Sequence, residues 1–329
     1  MPATDERKIR TNGIDMHIVQ QGEGPMILLC HGFPETSHSW RHQLPALAQA
    51  GFRAVAPDMR GYGQTDSPAA VAAFGIQHLV ADMVGVLDAL GESQAIIVGS
   101  DWGATVAWQA ALTRPDRFRG VMALGVPMMA SPPVPPTQLF PQTADALLYT
   151  LYFQAEGPAE TEFQRDIRQA LLKILFWASG DAGPRAIDTT IPSPFSMVSR
   201  SQGLLAALPI PSKRLAWLEQ EDLDTYTQAF AHSGFRGGLN YYRNLDANWA
   251  LERSRDDPKI EVPAAFIAGE RDPGLSIPGM QEIIAAMPAL VPRLQSTAII
   301  PDCGHWVSQE RPEELSSAII EFASRIDRL

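Results

Sequence analysis

The chain has 329 residues, of which 45% are hydrophobic and 19% charged, with 27 Pro and 25 Gly spread along it. That length and composition fit two domains or one large α/β core with an insertion, and exclude a disordered or fibrous chain. The net charge of −11 comes without runs of like charge, which argues against nucleic acid or an anionic membrane as the main partner.

The predicted elements alternate from the start. Met26–Cys30 is a short apolar run, residues 40–50 read as a helix ended by Gly51, and residues 52–56 form a second apolar run. In Ile76–Leu90 the residues Ile76, Leu79, Val80, Met83, Val84, Leu87 and Leu90 fall at helical spacing, and Gly91 follows as a C-cap. Residues 95–99 are a third apolar run, Trp102–Thr113 a helix stopped by Arg114-Pro115, and residues 120–126 a fourth run. Runs without polar alternation predict strands buried on both faces, and intervening helices predict a mostly parallel sheet flanked by helices.

The middle of the chain differs. Six prolines between residues 127 and 141 exclude a βαβ unit there. From about residue 143 to 250 the pattern is helical and holds most of the tyrosines. Strands are expected again at residues 263–268 and 297–300, and helices at 278–287 and 312–328. The expected organisation is one α/β core in two parts, 1–128 and 251–329, interrupted by a helical cap at 129–250.

The central motif is Gly99-Ser100-Asp101-Trp102-Gly103, between an apolar strand and a helix. Glycine, any residue, nucleophile, any residue, glycine at such a turn lifts the middle side chain above the sheet, at a helix N-terminus that stabilises negative charge. The middle residue is Asp101, and a carboxylate attacking saturated carbon gives an alkyl ester that water must cleave. The plainer reading is a helix N-cap. Two partners follow in the order of nucleophile, acid and histidine: Asp272 in Gly269-Glu270-Arg271-Asp272, and His305 in Asp302-Cys303-Gly304-His305-Trp306. Both follow predicted strands, where open α/β sheets place their sites. His305 would activate the water and Asp272 would orient the imidazole, with Glu270 and Asp302 as rivals for the acid. Near the first strand, His31-Gly32-Phe33-Pro34 offers a backbone N–H at Phe33 that pairs with that of Trp102 as an oxyanion hole.

With these motifs in view, the chain resembles the epoxide hydrolases of the α/β-hydrolase fold. The matching segments are HGFPE (31–35), DMRGYGQTD (58–66), GSDWGA (99–104), YFQ (152–154), GFRGGLNYYRN (234–244) and GHWVSQERPEE (304–314). The resemblance implies the α/β-hydrolase fold with an inserted cap and the conversion of an epoxide and water to a vicinal diol. It makes Asp101 the nucleophile, His305 and Asp272 the water-activating pair, and Phe33, Pro34 and Trp102 substrate contacts. It also implies two cap tyrosines that protonate the epoxide oxygen, Tyr152 from YFQ and Tyr242 from NYYRN. Tyr149, three residues before Tyr152 and on a similar helix face, is the rival. Tyr241 and Tyr242 are adjacent and point about 100° apart, so one of them faces the site. Ser100 stands where the family commonly has His.

The partner implied is a small hydrophobic epoxide, and Phe153, Trp177, Phe195, Trp217 and Trp249 are candidates for an apolar pocket. Members of that family often self-associate, which allows a homodimer. A haloalkane or haloacid dehalogenase would share Asp101, Asp272 and His305, and a non-catalytic receptor on the same fold is the more remote alternative. No metal or cofactor is expected: His38 and His42 lack the glutamate of a zinc-binding helix, and no glycine-rich phosphate loop follows a strand. No apolar stretch approaches the roughly 20 residues that cross a bilayer. Residues 1–10 do not read as a secretory signal. Two cysteines exclude a disulfide scaffold and a four-cysteine zinc site. A cytoplasmic protein with reduced thiols is expected.

Overall fold

The computed structural model describes residues 4–184, 197–255 and 258–326. Its core is an eight-stranded sheet built from β1 (Asp5–Thr11), β2 (Ile14–Gln21), β3 (Met26–Cys30), β4 (Arg53–Pro57), β5 (Ala95–Ser100), β6 (Phe118–Leu124), β9 (Ala264–Gly269) and β10 (Leu294–Ile300). The strand order is β1-β2-β4-β3-β5-β6-β9-β10. From β4 to β10 every pairing is parallel, while β2 runs antiparallel to both β1 and β4. Every residue of β3, β5 and β9 is buried, as expected of apolar strands covered by helices on both faces.

The first two strands are a hairpin that the sequence reading does not anticipate. β1 is mostly exposed and polar, so it carries none of the apolar signal of the inner strands. Its turn is Asn12-Gly13, with both residues at positive φ (43° and 82°), the conformation that favours Asn-Gly between antiparallel strands. Elsewhere the expected elements keep their bounds, as β3 does, or shift by one to three residues. The helix expected at 40–50 is a short 3₁₀ turn, Ser37–Trp40, followed by α1 (Gln43–Gln49).

The helices α2 (Ile76–Leu90) and α3 (Trp102–Thr113) have the expected bounds. α2 ends on Gly91 in the left-handed conformation, which a Cβ would strain. Between β6 and β9 most of the regular elements of the described chain are helices: α4 (Tyr149–Tyr152), α5 (Pro158–Gln164), α6 (Ile167–Ala178), α7 (Gln220–Ser233), α8 (Arg236–Arg243) and α9 (Leu245–Arg253). A small antiparallel pair, β7 (Ala146–Leu148) and β8 (Met197–Ser199), lies among them. The chain closes with α10 (Met280–Ala286), α11 (Val307–Glu310) and α12 (Pro312–Ile326). The helical segment lies over the C-terminal ends of the parallel strands. There Tyr242 packs edge-to-face on Phe33 and Trp102, with ring centroids 5.9 and 5.2 Å apart. Among the described residues no helix is long and apolar enough to cross a membrane.

Candidate active site

The strand-to-helix turn after β5 is shaped by its small residues. A Cβ on Gly103 would lie 2.1 Å from the Cys30 carbonyl oxygen, so only glycine lets α3 pack this close to β3. A Cβ on Gly32 would lie 2.3 Å from Asp101 Cβ. Asp101 itself has φ 54° and ψ −120°, a conformation that non-glycine residues rarely hold and that costs on the order of 1–3 kcal/mol. That strained turn aims its carboxylate away from the sheet. Ser100 beside it is buried in β5, in register with Leu124 of β6.

Asp101 meets both expected partners. The Phe33 N–H donates to Asp101 Oδ1 at 2.9 Å. His305 Nε2 lies 3.4 Å from Asp101 Oδ2, and His305 Nδ1 lies 2.7 Å from Asp272 Oδ2. Asp272 is 1% exposed, and its second oxygen accepts the Gly274 N–H at 2.7 Å. The rival acids go elsewhere: Glu270 Oε2 accepts the Asp302 N–H at 3.1 Å, and Asp302 pairs with Arg271. Burial works against an imidazolium at His305, but Asp272 and Asp101 outweigh it and hold its pKa well above the ordinary value. The imidazole therefore rests as a cation between two carboxylates.

Trp102 is the first residue of α3, so its N–H is one of the donors that helix geometry leaves outside the helix's own ladder. Pro34 follows Phe33 through a cis peptide and is buried. His31 holds this loop from behind. Its Nε2 accepts the Met59 N–H at 2.9 Å, and burial lowers its pKa to about 4, so it stays neutral.

The tyrosines divide differently from the expectation. Tyr152 donates to Glu162 Oε2 at 2.8 Å, and the charges that act on it are those of Glu162, Glu160 and Arg165. Glu162 in turn accepts the N–H groups of Leu204 and Leu205. Tyr152 is thus tied to Glu162 within the helical segment, and no hydrogen bond joins it to Asp101 or His305 among the described residues. Tyr149 stands where Tyr152 was expected. Its ring lies 6.0 Å from that of Tyr242, and Asp101 and Asp272 are the charges acting on it. Tyr242 is buried against Trp102 and Phe153 and faces Asp101. Tyr241 turns away and donates to the Arg60 carbonyl at 3.0 Å. Burial first, then Asp101, raises the pKa of both Tyr149 and Tyr242 above the ordinary value, so both remain protonated donors.

The pocket aromatics also separate. Phe153 packs against Phe33 and Tyr242. Trp249 Nε1 donates to the Pro132 carbonyl and Trp217 Nε1 to Asp181. Trp177 packs against the main core cluster, and Phe195 lies outside the described residues. His38 is held by Asp222 Oδ1 at 2.8 Å.

One site residue carries no role in the sequence reading although its motif is quoted there. Glu35, 1% exposed, accepts from Gln309 Nε2 at 2.7 Å through Oε1, and its Oε2 has no hydrogen-bonding partner among the described residues. Burial pushes its pKa up to about 7, aided by Asp101 and opposed by His305 and Gln309. The only signal for it is the acid at the end of HGFPE; its environment becomes visible only on folding. A carboxyl raised in this way stabilises the fold below its unfolded pKa, and that stability is lost as pH climbs to about 7, by about 3 kcal/mol in all. The Glu35→Gln variant does not titrate. Its melting temperature is expected to gain on that of the unsubstituted protein between about pH 5 and about pH 8. A difference that stays constant across that range would contradict the raised pKa.

Comparison with known proteins agrees with this geometry. The family model described as alpha/beta hydrolase fold matches residues 25–312. The chain is 40% identical to epoxide hydrolase A of Mycobacterium tuberculosis, over 99% of each chain. It is 38% identical to epoxide hydrolase 3 of Siraitia grosvenorii, over 96% of this chain and 97% of that one. The solved structure of an epoxide hydrolase from an endophytic Streptomyces superposes with a TM-score of 0.92 at 39% identity, covering 99% of this chain and 96% of that one. Near-complete coverage at this identity joins the carboxylate turn, the His–Asp pair and the helical segment above them into one assignment: the chain belongs to the epoxide hydrolases of the α/β-hydrolase fold.

Proposed function

We infer that the protein hydrates a small hydrophobic epoxide to a vicinal diol through an ester on Asp101, and that residues 129–250 act as a cap over the site. The observation that carries this reading is the placement of Asp101, with one carboxylate oxygen held by the Phe33 N–H and the other beside His305, opposite the buried Tyr242 and the half-buried Tyr149.

The steps follow from those positions. Asp101 Oδ2 bonds to an epoxide carbon, the ring C–O bond breaks, and its electron pair goes to the epoxide oxygen. An alkoxide is a poor leaving group, so a hydroxyl proton from Tyr149 or Tyr242 meets it as the ring opens. The two tyrosines are neutral donors over the same region, which is what this step requires. Asp101 Oδ1 becomes the ester carbonyl, still facing the Phe33 N–H. Ester formation removes the charge of Asp101, one of the two anions that keep His305 protonated. The imidazole pKa then falls, its proton passes to the phenolate left by ring opening, and the neutral ring can take a proton from water. The water oxygen attacks the ester carbonyl carbon. Negative charge on Oδ1 is met by the N–H groups of Phe33 and Trp102. Collapse of this intermediate breaks the bond to the diol oxygen, which takes a proton from the imidazolium; the new carboxyl gives its own proton to His305, so the carboxylate and the cation are restored and the diol is released. Asp272, buried and bonded to Nδ1, orients the ring and stabilises its cationic form.

The tyrosine pair favours an epoxide over a haloalkane, since a departing halide needs no proton. Styrene oxide and 1-bromobutane offered separately to the purified enzyme test this. Diol from the first, without bromide from the second, is the expected result; bromide release without diol would make the protein a dehalogenase. Both cysteines are free and buried, which fits the reducing cytoplasm in which we place it.

A further inference from the structure

We propose that Glu310 is a positioning residue that locks the cap onto the loop carrying His305, so that the hydrolytic half of the reaction depends on cap docking. This rests on the reading of His305 as the base.

Glu310 is 8% exposed and belongs to the one-turn helix that follows the histidine. Its Oε2 accepts two backbone N–H groups from different parts of the fold: Gly304, the residue before His305, at 2.9 Å, and Gly180, just past the C-terminus of α6, at 2.8 Å. Its Oε1 accepts the N–H of Trp306, the residue after His305, at 3.1 Å. One carboxylate thus brackets the catalytic histidine on both sides and shares an oxygen with the cap. A buried carboxylate without these donors would be costly, so the cap's N–H is part of what keeps it there.

The same seam is closed from the other direction. A helix leaves its last carbonyls without partners, and at the end of α6 two of them are taken by the histidine loop. The His305 N–H donates to the Ala178 carbonyl at 2.8 Å, and Trp306 Nε1 donates to the Leu175 carbonyl at 2.7 Å. Arg271, next to Asp272, donates to the Gly180 carbonyl at 3.1 Å. The two backbones touch: a Cβ on Gly304 would lie 2.3 Å from Gly180 N, and one on Gly180 would lie 2.3 Å from the Asp302 carbonyl oxygen. The negative end of α6 therefore rests on the histidine loop, where it favours the imidazolium. Cap position and base position are one mechanical variable, and Glu310 is the group common to both.

Ester formation uses Asp101 and the tyrosines, whereas ester breakdown uses His305. Loosening the clamp is therefore expected to slow breakdown more than formation. The test is rapid-quench mass spectrometry of the ester in single turnovers of styrene oxide, with Glu310→Gln and with Gly180→Ala. The second variant leaves the carboxylate in place and pushes the cap backbone from the seam. Both are expected to form the ester within about 3-fold of the unsubstituted rate and to break it down about 10-fold more slowly or worse. The alkaline limb of breakdown is expected to move in both, since the environment of His305 changes. Unchanged breakdown in both variants, or formation and breakdown falling in parallel as in general loosening of the site, would overturn the clamp. Absence of any ester in the unsubstituted enzyme while diol forms would overturn the reading of Asp101 and His305 on which the clamp depends.

Discussion

Asp101→Ala is expected to abolish turnover of epoxides, with a fall of about 10⁴-fold or more in kcat, while the fold is retained. No other carboxylate among the described residues has an oxygen held by the Phe33 N–H and the other beside His305. The fold should survive the substitution, because alanine keeps the Cβ at the same strained φ of 54° and the carboxylate it removes is part-exposed. His305→Gln is expected to fail at the other end of the cycle. It retains the carboxylate and both tyrosines, so it should form the ester and then stall, giving a protein mass increased by the whole epoxide. That adduct should map to Asp101 and be absent in Asp101→Ala. Loss of diol formation without an adduct in His305→Gln would mean that His305 serves the opening step.

The second large effect concerns the tyrosines, and it distinguishes the folded protein from the motif reading. Tyr149→Phe is expected to lower kcat/KM for epoxides by about 10²-fold, and so is Tyr242→Phe. The double variant is expected to fall further, because either hydroxyl alone can still protonate the opening ring. Tyr152→Phe is expected to lie within about 3-fold of the unsubstituted enzyme, since the hydroxyl it removes is bonded to Glu162. Its measurable cost should be in stability, of order 1 kcal/mol, through the lost bond to Glu162. Steady-state kinetics on the four variants with styrene oxide settles the assignment. A Tyr152 variant as impaired as Tyr149→Phe would return the proton donor to the YFQ motif.

That substitution of one tyrosine for another shows where sequence information ran out. Tyr149 and Tyr152 are three residues apart in a four-residue helix, so periodicity places both on similar faces and cannot say which side the cap turns toward Asp101. The carboxylate partner Glu162 and the backbone donors around it come from elsewhere in the cap. By contrast, Asp101, Asp272 and His305 were legible because each lies just beyond a parallel strand, buried in β5 and β9 and an exposed edge in β10. Apolar runs bounded by glycine and proline mark those strands without reference to anything distant. The same logic explains the missed hairpin: β1 is exposed and polar, and its only local signal is Asn12-Gly13. The strands β7 and β8 are three residues each and pair across about fifty residues of chain, too short for a period of two to register. Glu35 and Glu310 stand inside quoted motifs, yet what each does depends on partners brought from 274 and 130 residues away.

The mechanism turns on whether water attacks the ester or the epoxide. A single turnover of styrene oxide in H₂¹⁸O, with enzyme in excess, separates the two. In the ester route the new diol oxygen comes from Asp101 and the water oxygen is left in its carboxylate. Unlabelled diol and ¹⁸O in the peptide carrying Asp101 are therefore expected. Labelled diol with an unlabelled Asp101 peptide would mean direct attack of water on the epoxide, and would contradict the ester route.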